Sequence, residues 1–355
     1  MRRVIGFIFP SHPLTQELFD ILSDELEPLG FDCKRLETVV SCRQQLCLVM
    51  MFGLVPSAPS CNAILEELYS RKVLTVLWEI EALPPAPLGK EAMASARLIN
   101  RALEKKGLFC FGLVRSFTVK FLTYRLRRQT FDILQSRYGP FTGAAVRLMC
   151  RIYQWMYDAH ASGRIKDIWV SVHSRSDLLR QAGLPSSYRP VGYHKRYGEL
   201  RSTKSRDINV LFLGGVSPAR SAALARLSMQ LKEAGHSLTI VSGGLRGEER
   251  TRLLNRTKIL LNVLNHPWEF PGIRLLMGMG CGCLVVSQSA PDTHPYRPGE
   301  HFAMADTEAI GETLIHYLEN ETERSRVAMQ GHRFVTREMT MRNSIVDEIL
   351  NLVER

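Results

Sequence analysis

Four short apolar runs in the second half of the chain set the fold: INVLFLGG (208–215), SLTIVSGG (237–244), KILLNVLN (258–265) and CLVVSQ (283–288). Each ends in glycine or a polar residue, and helical periodicity separates one from the next. Runs of this length that alternate with helices predict parallel strands buried on both faces. The same alternation runs through the first half, with RRVIGFIFP (2–10), LCLVMMFG (46–53), KVLTVLWEIEALPP (72–85) and KDIWVSVHS (166–174) as strands and helices over 14–29 and 60–71. At 355 residues the chain exceeds what one core usually supports, so two α/β domains are expected.

The expected division is an N-terminal Rossmann-like domain over 1–184, containing a mostly helical basic segment at 91–166, then a linker at 185–207 rich in Pro, Gly, Ser and charge. A second Rossmann-like domain follows over 208–340, its helices including Ser217–Ala234, Glu248–Thr257 and Glu269–Gly280, with a terminal helix at 341–355. Doubly wound sheets bind ligands outside the carboxyl ends of their strands. Functional residues are therefore sought in those loops.

The net charge of +11 favours anionic partners. Much of the excess lies between Arg101 and Arg128, where eight Lys or Arg face the single acid Glu104. Aromatics interleave with these cations, as they would on an amphipathic helix at an anionic membrane surface. No recognition motif supports nucleic-acid binding. The eight cysteines are scattered and read as reduced core residues of an intracellular protein; Cys281 and Cys283 lack a partner pair at zinc spacing, so no metal is expected. The apolar start breaks at Pro10, and no run is long enough for a membrane span, so the expected location is cytoplasmic, with peripheral contact at the inner face of the membrane.

Two places in the second domain suit an anion. Gly214 and Gly215 stand where the first strand turns into its helix, and Arg220 lies in that helix's first turn, where a cation supports an anion held by free backbone N–H groups. Pro271 and Gly272 begin a later helix, leaving accessible N–H groups of the same kind. Neither place carries the third glycine of a dinucleotide fingerprint or a GKS/GKT phosphate loop.

The stretches VGYHKRYG, RDINVLFLGGVSPAR, GEERTRLLNRTKILLNVL, EFPGIRLLMGMGCGCLVVSQ and PYRPGEHFAMAD resemble the nucleotide-sugar-dependent glycosyltransferases of GT-B architecture. They are most similar to the group 1 transferases and relatives of the spore-maturation protein CgeB. The resemblance covers about 166–355. It implies two Rossmann-like domains facing a cleft, a terminal helix that crosses back to the first domain, a donor in the second domain and an acceptor in the first. It also implies no cofactor and no divalent metal, with helix dipoles and cations stabilising the nucleoside-diphosphate leaving group.

On that resemblance, Gly214, Gly215 and Arg220 form the phosphate-side turn, while Ser242 and Gly243 meet the nucleotide base. Arg250 and Lys258 become further phosphate partners, and Arg274 matches an arginine that recurs in this branch. Glu269 matches the first acid of the family pattern; Met277 stands at the second, and Gln288 replaces a common Glu. With a helix starting at Glu269, Met277 falls on roughly the same face and would line the nucleotide pocket. A general base belongs on the first domain's loops, with His12 ahead of Glu79 and His173. The function implied is sugar transfer from a nucleoside-diphosphate sugar to an acceptor hydroxyl. The alternative is a nucleotide-sugar-binding module that has lost turnover, motivated by Met277 and Gln288.

Overall fold

The computed structural model describes residues 3–37, 46–52, 60–80, 152, 155–181, 183–202, 205–266, 268–270 and 272–354. The chain forms two compact units, one of 1–19 and 26–189, the other of 20–25 and 190–355. The basic cluster 101–128 and Pro271 lie outside the described residues.

The first unit holds a parallel sheet of β1 (Arg3–Ile8), β2 (Phe31–Arg35), β3 (Leu46–Phe52), β4 (Thr75–Glu79), β5 (Asp167–Val170) and β6 (Ser186–Tyr188), ordered β2-β1-β3-β4-β5-β6. Helices α1 (Pro13–Leu26), α2 (Ser60–Ser70) and α3 (His173–Gln181) follow β1, β3 and β5. The central strands are buried almost without interruption, as layers of helix on both faces require. Phe7, Phe9, Phe52 and Trp78 build an aromatic core, with Phe9 stacked on Phe52 at 4.9 Å. Trp78 is buried, and its indole N–H donates to the carbonyl of Arg189 at 2.9 Å.

The second unit's sheet, of β7 (Ile208–Leu213), β8 (Leu238–Val241), β9 (Thr257–Asn262), β10 (Leu284–Gln288) and β11 (Ala303–Ala305), is ordered β11-β10-β9-β7-β8 and is also parallel. Helices α4 (Pro218–Glu233), α5 (Gly247–Asn255), α6 (Gly272–Gly280), α7 (Ile310–Glu319), α8 (Glu321–Arg337) and α9 (Asp347–Glu354) accompany it. Val210, Phe212, Ile259, Leu261, Leu284 and Val286 form the sheet's share of the core, packed on Leu224, Leu227 and Leu231 of α4. Gly278 lets α6 sit close to the sheet, since a Cβ there would lie 2.5 Å from Val285 and 3.0 Å from Leu260.

Two sequence expectations change here. The stretch expected as a linker is structured. Ser186–Tyr188 is the edge strand β6, and 190–202 and 205–207 belong to the second unit. There Asn255 holds the backbone of Glu199 and Arg201, while Tyr193 pairs with Met339 and Met341. The helix expected from Glu269 begins at Gly272. Glu269 lies in the preceding loop, so helix register does not align it with Met277.

Candidate functional site

In the second unit the chain leaves β7 for β8 on one side, then returns to place β9 on the other. The carboxyl ends of β7 and β9 are thus the switch point, where the connections diverge and leave a crevice. Two arginines cross it in opposite directions. Arg220, on the helix after β7, donates from Nε to the carbonyl of Val263 just past β9 at 2.8 Å, and from Nη1 to Gly215 at 3.2 Å. Arg274, on the helix after β9, donates from Nε to the carbonyl of Leu213 ending β7 at 3.0 Å, and from Nη1 to Asn262 Oδ1 at 2.9 Å. Both guanidiniums lie by the Phe212 ring, at 6.0 and 5.4 Å from its centroid.

This reciprocal latch explains Gly214. Its φ is +145°, its N–H donates to Val241 O at 3.1 Å, and a Cβ would sit 2.4 Å from Arg274 Nη2. Only glycine gives both that backbone and that approach. Ser217 caps α4 by accepting from the Arg220 N–H at 3.4 Å.

Glu269 supplies the negative charge. Its oxygens lie 3.3 and 3.4 Å from Arg220 Nη2, and one also accepts from the backbone N–H of Asn265. Arg274 hydrogen-bonds a carbonyl and an amide oxygen rather than a carboxylate. Burial pushes its guanidinium down to about 10, assisted by the Arg220 cation and opposed by Glu269, so it stays charged at neutral pH. Beside them His266 stacks on the buried Trp268 at 5.1 Å. Burial lowers the His266 pKa, Glu269 raises it and Arg220 lowers it, leaving the ring neutral at pH 7.

Polar groups continue along the strand ends. Asn262, fully buried, donates to Ser287 Oγ at 2.9 Å, and Ser287 donates to Gln288 O at 2.9 Å. Gln288 accepts from the Leu264 N–H at 2.8 Å and donates to Thr307 Oγ1 at 3.2 Å, so it braces the loop after β9.

The structure gathers Gly214, Gly215, Arg220, Glu269, Gly272 and Arg274 at the ends of β7 and β9. Ser242 and Gly243 are exposed at the carboxyl end of the adjacent β8, with Gly243 at φ +110°. Met277 lies inside α6 at 7% exposure. Two residues expected as phosphate partners do not join this group. Lys258 is at the amino end of β9, four residues or about 13 Å of strand from Asn262. Arg250, 2% exposed, donates to the carbonyl of Arg196 and faces the Tyr197 ring at 6.0 Å, a structural role.

In the first unit, His12 follows β1 and is exposed, but its Nδ1 accepts from the Leu14 N–H at 3.2 Å. That bond puts the neutral ring's proton on Nε2, making the outward nitrogen a donor. His12 as it stands is therefore not poised as a base. Glu79 is buried against the Arg175 guanidinium, and His173 opens α3 with Nδ1 3.6 Å from Asp177. Sequence reasoning missed Asn262, His266 and Trp268. The polar Asn interrupting KILLNVLN was the available signal.

Residues 220–351 match the family model described as glycosyl transferase-like. Among solved structures, the Anabaena Alr3699/HepE protein in complex with UDP and glucose is similar over 99% of this chain and 100% of its own, at 12% identity and TM-score 0.50. TarM is similar over 87% of this chain and 55% of its own, at 8% identity and TM-score 0.53. The fold is that of the GT-B glycosyltransferases. No curated protein matches the sequence. The match to the family model starts at Arg220 and takes in Asn262, Glu269 and Arg274. Among the described residues, no group of three His, Cys, Asp or Glu is placed to hold a metal, and no helix is long and apolar enough to cross a membrane.

Proposed function

We propose that the protein transfers a sugar from a nucleoside-diphosphate sugar to an acceptor hydroxyl, in the manner of the CgeB-like branch and without a bound divalent metal. One observation carries the reading: two guanidiniums each fixed by a backbone carbonyl at the switch point, with one carboxylate paired to Arg220. Departure of the nucleoside diphosphate builds negative charge on the β-phosphate, and cations already held in place stabilise it without reorganisation. Arg220 and Arg274 supply that charge, the turn at Gly214 and Gly215 allows close backbone approach, and Ser242 and Gly243 border the base. Glu269 acts on the sugar side and is needed for turnover. The acceptor belongs to the first unit. His12 serves as base only after releasing the Leu14 N–H, so a group carried by the acceptor complex is an equal contender for the proton.

The test is a product assay with UDP-, GDP- and dTDP-sugars in the presence of EDTA, paired with thermal shift. Stabilisation by one donor together with transfer supports the reading. Binding without transfer or donor hydrolysis would turn it into the binding module, and loss of activity in EDTA would remove metal independence.

A further inference from the structure

The contacts of Arg220 are unequal. Its two bonds to backbone carbonyls, at 2.8 and 3.2 Å, fix the plane of the guanidinium. The contact to Glu269, at 3.3 and 3.4 Å, is longer than the usual 2.7–2.9 Å of a charge-assisted bond. It is therefore the contact most readily surrendered. Glu269 keeps a separate hold on its loop through the Asn265 N–H, and 20% of its side chain reaches solvent. Beside this pair Arg274, half-buried and desolvated, hydrogen-bonds no carboxylate among the described residues, so two cations share the one anion near them. A cation buried without full compensation favours any anion that can reach it.

We propose that Glu269 is the resident anion of this site, and that a phosphate of the donor takes its place on Arg220 and releases the carboxylate. The proposal rests on the donor reading above and adds a competition within it. It reverses the sign expected of a residue that only contacts ligand: removing the Glu269 charge strengthens phosphate binding while it impairs transfer.

The experiment is isothermal titration of the full chain with inorganic pyrophosphate and with UDP, comparing wild type, Glu269→Gln and Glu269→Ala. Gln retains an oxygen for the Asn265 N–H while removing the charge. Both ligands are expected to bind Glu269→Gln about five- to tenfold more tightly, the upper figure being about 1.4 kcal/mol. Binding to the variant alone also supports the exchange, since the resident carboxylate then outcompetes the ligand. Equal or weaker binding to Glu269→Gln, with wild type binding normally, overturns the exchange and leaves the donor reading intact. If neither protein binds, the anion site is wrong and both readings fall. A cooperative melt confirms that each variant is folded; should Glu269→Gln lack one, Glu269→Ala carries the same expectation.

Discussion

Replacing Gly214 by alanine tests the latch at its tightest point. The new Cβ would lie 2.4 Å from Arg274 Nη2, at a φ of +145°. The backbone conformation alone costs a non-glycine residue about 1–3 kcal/mol. Arg274 must also retreat from Leu213 O and Asn262 Oδ1, held at 3.0 and 2.9 Å. A hydrogen bond to a charged group contributes about 1.5–3 kcal/mol; a freed guanidinium regains water, so one such bond is the fair count. The total, about 2.5–6 kcal/mol, is a large part of the roughly 5–15 kcal/mol typical of a domain. Urea unfolding followed by hydrogen exchange in β7 and β9 peptides reads the second unit apart from the first. Arg274→Met removes the obstructing atoms, so in that background Gly214→Ala costs only its backbone share. The two changes then couple by about 1.5–3 kcal/mol. Additivity within about 0.5 kcal/mol would refute the collision, and a loss below about 1 kcal/mol for Gly214→Ala alone would refute the whole account.

Arg206 donates to the carbonyls of Leu254, Thr257 and Cys281 at 3.1, 2.6 and 2.7 Å, joining the ends of α5 and α6 to the start of β9. Arg206→Met is expected to lower the unit's stability by about 2–3 kcal/mol in the same urea series without changing UDP affinity. Burial lowers the pKa of His194, His266 and His301 below the ordinary 6.5. The unfolded chain therefore binds protons first: stability is full above about 6.5 and declines as pH falls towards the folded values. Melting temperatures at pH 7.5 and 5.5 check this, and a flat profile would contradict it. Gln288→Glu keeps an acceptor for the Leu264 N–H and can accept from the Thr307 hydroxyl. It should change stability by less than about 1 kcal/mol, with UDP binding weakened by the added charge; calorimetry on the folded variant measures both.

What the sequence disclosed follows from how each element is buried. β1, β3, β7, β9 and β10 were legible because two-sided burial makes them continuous apolar runs. β2, β6 and β11 were not: FDCKR carries the charges that protect an edge strand, and SSY and AMA are three residues each. The start of α6 was misplaced because Glu269 spends its carboxylate on Arg220 and the Asn265 N–H, contacts that hold it in a loop and leave no trace in periodicity.

Cations show the limit most clearly. Arg206, Arg220, Arg250, Arg274 and Arg324 all donate to backbone carbonyls, and nothing in composition or spacing separates them. Two properties of the fold do. The first is strand end: Arg220 and Arg274 meet the carboxyl ends of β7 and β9, whereas Arg206 meets the amino end of β9. The second is where each guanidinium points its remaining donors. Arg206 directs its remaining donors at helix-terminal carbonyls, which need cations whether or not a ligand exists, and Arg324 serves those ending α7 while its Nη2 pairs with Glu321 in its own helix. Arg220 turns Nη2 to a carboxylate that solvent reaches, and Arg274 brings Nη2 against a glycine with no side chain to cover it. A site for an anion is thus distinguished from a structural brace by the donors left over once the backbone has been served, and tertiary structure alone decides that remainder.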